Sequence, residues 1–237
     1  MQHISEDAFV RAAAPPSLAA DEIHIWHVVL DAALKPREIT AASHAFLGRL
    51  LMAYANVDAP PAIARTERGK PHAPSLAHLD FNLTHAREQV LIAVAREQAV
   101  GIDLERVDRE IEIDDIARRY FSSAEADAIE ALAPERKLAA FLRLWTCKEA
   151  VLKALGEGIS FGLDRVAFAL DANGTPERVA AIAGEAGTPA EWRLARIDPV
   201  PGYLGALAWR GAARRIRTFL HAPQHRHSGE GPNPFSL

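Results

Sequence analysis

The chain has 237 residues, of which 49% are hydrophobic and 24% charged, with a formal net charge of -4. This is ordinary globular composition, long enough for one large domain or two lobes of roughly 100 residues each. No apolar run approaches the roughly 20 residues a membrane-spanning helix needs. The acidic balance gives no bulk attraction for nucleic acid, so an anionic ligand would need a local basic cluster. One cysteine excludes an intrachain disulfide and fits a reducing compartment. Acidic residues stand where a signal peptide would carry a basic region, so no secretory leader is expected and the reading is cytoplasmic.

In chain order, residues 1–20 are alanine- and proline-rich without sustained periodicity and are expected to be disordered. Ile23 to Leu30 alternates and is β-rich, which predicts a strand. Thr40 to Tyr54 carries Ala42, Phe46, Leu47, Leu50, Leu51 and Tyr54 at helical spacing. Phe81 to Leu83, Val90 to Ala95 and Val100 to Glu105 read as three strands joined by short turns. Ser122 and Glu125 have capping-box spacing, opening a helix towards Leu132. Leu138 to Leu155 is the strongest helical pattern, closed by Gly156 and Gly158. Val166 to Leu170, Trp192 to Ile197 and Tyr203 to Trp209 read as strands. The tail from His221 consists of turn-forming residues and reads as disordered. Its histidines His221, His225 and His227 could bind metal, although a solvated tail is the simpler reading. The fold class expected is α+β: a first lobe over 21–100, a second over 101–220, each a helix with antiparallel strands.

Two constellations carry possible chemistry. In Gly101-Ile102-Asp103-Leu104-Glu105, a strand period of two puts Asp103 and Glu105 on one face and Ile102 and Leu104 on the other. Adjacent carboxylates resist joint ionisation, and a hard divalent cation such as Mg²⁺ removes that penalty. Two surface acids on an edge strand would look the same. In the long helix, Trp145, Glu149 and Lys153 are spaced i, i+4, i+8 on one stripe. A Glu149–Lys153 surface ion pair would account for this as well. If the stripe meets Asp103 and Glu105, three carboxylates with Lys148 and Lys153 would surround a metal–phosphate centre. Cys147 is best read as a small buried hydrophobe. The second constellation is basic: Arg65, Arg68 and Lys70 around Gly69, then Pro71, a turn whose backbone amides and cations suit a phosphate or simply face solvent. It lacks P-loop spacing. Thr84 and His85 end a strand and could donate to a phosphate.

Together, Gly69-Lys70-Pro71, Phe81-Asn82-Leu83-Thr84-His85, Gly101-Ile102-Asp103-Leu104-Glu105 and Trp145-Thr146-Cys147-Lys148-Glu149-Ala150, with Lys153 and Gly156-Glu157-Gly158 following, resemble the surfactin-synthetase type of 4′-phosphopantetheinyl transferase. The order and spacing of these motifs run from about Ile23 to Trp209. The resemblance implies a pseudodimer of two similar α+β lobes with the active site in the cleft between them. It implies coenzyme A as substrate, an apo acyl or peptidyl carrier protein as acceptor, and a monomer serving fatty-acid, polyketide or nonribosomal-peptide carriers. Asp103, Glu105 and Glu149 match Mg²⁺ ligands; Lys70 and His85 match phosphate-holding positions, His85 at the 3′-phosphate; Lys153 matches the lysine near the pyrophosphate. Arg68, Pro71, Thr84 and Lys148 complete the expected coenzyme A contacts, and Glu149 with Lys153 the catalytic pair, Glu105 being the rival base. Departures from the family pattern are Thr84 for serine, Ala86 for a small hydroxyl residue, and a shortened segment before the first helix. In that segment Lys35 and Arg37 are the candidate phosphate contacts. Arg118 and Arg119 could steer an acidic carrier. A Mg²⁺-dependent coenzyme A or nucleotide phosphohydrolase and an inactive coenzyme A-binding module remain the competing classes.

Overall fold

The computed structural model describes residues 1–157, 161–184 and 186–222. Its strands are β1 (Gln2–Ile4), β2 (Val10–Arg11), β3 (Glu22–Val29), β4 (Ala64–Arg65), β5 (Pro71–His72), β6 (Leu79–Ala86), β7 (Gln89–Arg96), β8 (Val100–Arg106), β9 (Val166–Leu170), β10 (Pro176–Ile182), β11 (Trp192–Ile197), β12 (Tyr203–Arg210) and β13 (Arg215–His221). Its helices are α1 (Pro36–Ala55), α2 (Ile113–Tyr120), α3 (Ser123–Glu130) and α4 (Pro134–Leu155). This is a mixed α+β protein, as expected.

One sheet has five strands in the order β2-β13-β3-β7-β6, another four in the order β1-β11-β12-β8. β4–β5 and β9–β10 form separate two-stranded pairs. Alternation along the strands sends side chains to two clusters per sheet. Trp26 and Val28 of β3 and Val90, Ile92 and Val94 of β7 pack under Phe46, Leu50 and Leu51 of α1. Leu204, Ala206 and Ala208 of β12 pack under α4 through Leu144, Cys147 and Val151. The opposite faces of both sheets share a third cluster, in which Ile23, Ile25, Leu91 and Ala93 meet Ile102, Leu104, Leu207 and Trp209. The apolar residues of the acidic strand thus enter the core on one side, leaving Asp103 and Glu105 on the other.

Several expectations are corrected. Residues 1–20 are not shapeless: β1 pairs with β11, β2 pairs with β13, and Ile4, Phe9 and Leu18 are buried. Three apolar side chains too far apart to show a period suffice to anchor the segment. The sheets are not purely antiparallel, because β1–β11, β2–β13 and β13–β3 are parallel. Strands brought together from distant parts of a chain have no hairpin to impose antiparallel pairing. β13 also breaks the expected boundaries: it follows the second-lobe strands in sequence but hydrogen-bonds to β3 of the first half, while β1 joins the sheet of the second half. The supposed tail begins later than expected, since His221 ends β13, is buried, and its ring lies 4.7 Å from that of Phe46. It is no free tail ligand. His225, His227 and Gly158 lie outside the described residues.

Under α1, fully buried His24 bonds through Nδ1 to the Tyr54 hydroxyl at 2.8 Å and through Nε2 to Glu22 at 3.1 Å; the Trp26 indole N–H donates to the same hydroxyl at 2.8 Å. Burial holds the His24 imidazole below its ordinary pKa, outweighing the help of Glu22, and burial shifts His27 the same way. Both therefore take a proton more readily unfolded, where an imidazole titrates near about 6.5. Their contribution to stability is complete above that pH and is lost as pH falls below it. Thermal melts between pH 8 and 5 should show Tm dropping below about 6.5, and His24→Gln should flatten that drop.

Candidate active site

Asp103 and Glu105 project from β8 towards α4, and Glu149 and Lys153 from α4 towards β8. What lets the two elements come this close is Gly101. A Cβ there would lie 2.0 Å from the Ala150 carbonyl oxygen and 2.4 Å from the Ala154 nitrogen. Gly101→Ala must push β8 and α4 apart. Overpacking of this kind costs about 1–3 kcal/mol, and displacing a catalytic group by 1 Å costs on the order of 100-fold in rate. The expected result is a modestly lowered Tm with a much larger loss of turnover, read by calorimetry and steady-state kinetics on the same sample.

The Lys153 ammonium donates to Asp103 Oδ1 at 2.6 Å and to the Ile102 carbonyl at 3.2 Å, and the Thr84 hydroxyl donates to Asp103 Oδ1 at 3.3 Å. Glu105 is paired with Arg109 at 2.5 Å. Burial, then the charge of Asp103, holds the Glu149 carboxyl above the usual carboxylate range. Burial and Asp103 do the same to Glu105, against the pull of Arg109. Asp103 Oδ2 and Glu149 Oε1 are buried without a hydrogen-bond partner. Orphaned carboxylate oxygens of this kind are costly unless a cation or donor meets them. Among the described residues, no three histidine, cysteine or acidic side chains are drawn into a ready-made metal cage. The donor set is all oxygen, two of its atoms lack partners, and burial, then the charge of Asp103, raises the carboxyl pKa of Glu105 and Glu149. These features fit a hard divalent cation.

Beside the carboxylates lies a cavity of about 410 Å³, within the size range of small-molecule sites. Arg65, Arg68, Lys70 and Lys153 give it cationic walls, and Leu47, Ile63 and Phe81 apolar ones. The basic turn is the loop of the β4–β5 hairpin, in which Gly69 takes a φ of +89° and Arg65 donates to the Gly69 carbonyl at 2.8 Å. Arg68 pairs with Glu157. The Lys70 ammonium donates to the Ala154 carbonyl at 3.2 Å, near the α4 C-terminus, and burial lowers its pKa. Pro71 and Asn82 also line the cavity. His85 stands beside α1, with Nε2 3.4 Å from the Thr40 hydroxyl; burial and the nearby His44 and Lys153 lower its pKa.

Lys148 does not belong to this assembly. It is fully buried on another side of α4, donating to Glu125 at 2.8 Å, to the Leu163 carbonyl at 3.0 Å, and to the Val166 carbonyl. Neighbouring residues on a helix point about 100° apart, so Lys148 cannot share the Glu149 face. Thr84 is likewise turned to Asp103 rather than presented freely to a ligand. Lys35 stands at the N-cap of α1, where its backbone N–H donates to Glu38 at 2.7 Å, and neither it nor Arg37 lines the cavity. Cys147 is the buried hydrophobe expected, its thiol pushed up to about 12 by burial. Arg118 is held by Asp127 and Glu130, whereas Arg119 is exposed beside Tyr120. The residues unforeseen in the sequence are His44, which lines the cavity from α1, and Arg109. His44 stands four residues after Thr40 on one face of α1, the only local sign of its position.

A family model described as the 4′-phosphopantetheinyl transferase superfamily matches residues 99–208, which hold all three acids and Lys153. The chain is 30% identical over 229 residues to the 4′-phosphopantetheinyl transferase HetI of Nostoc sp. (strain PCC 7120), covering 83% of this chain and 92% of that protein. This chain belongs to the 4′-phosphopantetheinyl transferase superfamily. It is also similar to the 4′-phosphopantetheinyl transferase Sfp of Bacillus subtilis (strain 168), at 34% identity over 108 residues covering 46% of this chain and 47% of that protein. For AcpT of Salmonella typhi the identity is 37% over 109 residues, covering 46% and 56%. These last two matches span about half of each relative. The resemblance to the surfactin-synthetase type seen in the motifs therefore holds at the level of the family. No helix among the described residues is long and apolar enough to cross a membrane.

Proposed function

We propose that this transferase moves the 4′-phosphopantetheine arm of coenzyme A onto a serine of an apo acyl or peptidyl carrier protein, releasing 3′,5′-ADP. The observation that carries the reading is the meeting of Asp103 and Glu105 with Glu149 and Lys153, the last of which also lines a cavity with cationic walls. Coenzyme A, with its phosphates on the basic wall and apolar groups against Leu47 and Phe81, is the ligand that suits both kinds of lining. The protein acts as a monomeric cytoplasmic enzyme, and its two halves work as a pseudodimer with coenzyme A between them.

The carrier serine oxygen attacks the pantetheine-side phosphorus. A phosphorus–oxygen bond to serine forms as the bond to the bridging pyrophosphate oxygen breaks, and 3′,5′-ADP departs. Such transfers depend on alignment and charge neutralisation more than on covalent help. Glu149 accepts the serine proton; its unpartnered oxygen and raised pKa suit a base, whereas Glu105 is engaged with Arg109. Asp103, Glu105 and Glu149 would hold Mg²⁺, which when bound neutralises pyrophosphate charge. Lys153 and Lys70 hold phosphate oxygens, Arg68 belongs to the basic wall, and His85, which stands near His44 of that wall, donates an imidazole N–H to the 3′-phosphate. Arg119, exposed beside Tyr120, is the residue that steers an acidic carrier.

Incubating the protein with coenzyme A, Mg²⁺ and an apo carrier, and weighing the carrier, tests the reading. A mass gain of one phosphopantetheine supports it. Coenzyme A cleavage without gain on the carrier would show a phosphohydrolase instead, and no change in either would show a binding module.

A further inference from the structure

β8 is an edge strand: it hydrogen-bonds to β12 on one side, and among the described residues no strand pairs with its other side. That free edge is nevertheless inside the protein, and Val100, Ile102 and Leu104 are buried. Its backbone groups still need partners. Three side chains supply partners to Val100 and Ile102. The Val100 carbonyl accepts from Lys70 at 3.4 Å, the Ile102 carbonyl accepts from Lys153 at 3.2 Å, and the Ile102 N–H donates to Asn82 Oδ1 at 2.8 Å.

These three partners are not equivalent. All three line the cavity, but Lys70 and Lys153 are cations, and an ammonium exchanges a neutral carbonyl for a phosphate oxygen readily, because the new partner is charged as well. Only Asn82, neutral and buried on β6, has no such competing attraction at its acceptor oxygen. Its bond ends on the residue immediately before Asp103. The neighbouring inward side chain of β6, Thr84, holds Asp103 itself. We infer that Asn82 is a positioning residue: its side-chain carbonyl replaces a missing strand on the free edge of β8 and keeps Asp103 in place when the lysines turn to substrate. For its kinetic consequence the inference rests on the transferase reading above; for its structural consequence it does not.

The test compares Asn82→Ala with Asn82→Asp, which keeps an acceptor oxygen. In Asn82→Ala, amide hydrogen exchange at Ile102 should speed up at least tenfold while amides of α1 stay protected, and Asn82→Asp should keep Ile102 protected. In the carrier assay, Asn82→Ala should lower kcat about tenfold or more and leave KM for coenzyme A within about threefold. Unchanged Ile102 exchange in a folded Asn82→Ala protein would overturn the inference. So would a rise in KM with kcat intact, which would make Asn82 a substrate contact. A wild-type protein without transferase activity would sink the proposed function, and the exchange comparison would still decide the role of Asn82.

Discussion

Glu149→Gln should lower kcat by roughly 100- to 10,000-fold, the usual range for losing a positioned general base, with the fold and the coenzyme A affinity retained. The substitution is isosteric, so the packing of α4 against β8 is unchanged. It removes the charge that burial and Asp103 already make costly, so Tm should stay the same or rise. The amide presents no carboxylate for the serine proton or for a divalent cation. Coenzyme A contacts on the basic wall come from other residues and should survive, which equilibrium binding checks directly. An enzyme with near-normal turnover and normal metal affinity after this change would remove Glu149 from the base role and leave Glu105 as the alternative.

Lys148→Met should behave in the opposite way, failing in stability rather than in chemistry. Lys148 and Glu125 form an ion pair with almost no solvent exposure. Glu125 also accepts from the Ser122 N–H and hydroxyl, capping α3, and from the Phe168 N–H at 2.8 Å, but these neutral donors do not balance its charge. Removing the ammonium leaves a buried carboxylate without its counter-charge and two buried carbonyls without their donor. Breaking such a pair from one side costs about 3–5 kcal/mol, a large share of a typical total of about 5–15 kcal/mol. For a protein of this size Tm should drop by roughly 6–20 °C, at about 2–4 °C per kcal/mol. Adding Glu125→Gln should recover part of the loss, since no unpaired charge then remains. If Lys148→Met instead melted normally and raised KM for coenzyme A, Lys148 would belong to the phosphate-binding group.

Lys148 and Glu149 stand side by side in one motif, and the resemblance assigns both to the site. Only packing reveals that one faces the cleft and the other joins α4 to α3 and β9. Helical period groups residues into stripes but does not say which stripe meets which partner. The helical stripe of Trp145, Glu149 and Lys153 splits in the structure: Lys153 bonds to Asp103, whereas Trp145 packs against Phe121 and Phe141. The meeting of Lys153 with Asp103 depends on Gly101, whose missing side chain lets β8 and α4 touch.

The chemistry on offer is legible along the chain because it is local: paired acids at strand spacing, an acid and a lysine one helical turn apart, a basic glycine turn, and their order. The main strands and both long helices are legible too, because their apolar periods are long enough to read. The tertiary structure alone decided the rest. β1, β2 and β13 are short or weakly patterned and exist as strands because distant partners complete them. The pairing of β13 with β3, the burial of Lys148, the arrival of His44 in the cavity wall and the hold of Asn82 on Ile102 are contacts across many residues of chain. No local pattern records such contacts, since their energy comes from the surface and hydrogen-bonding groups that folding brings together.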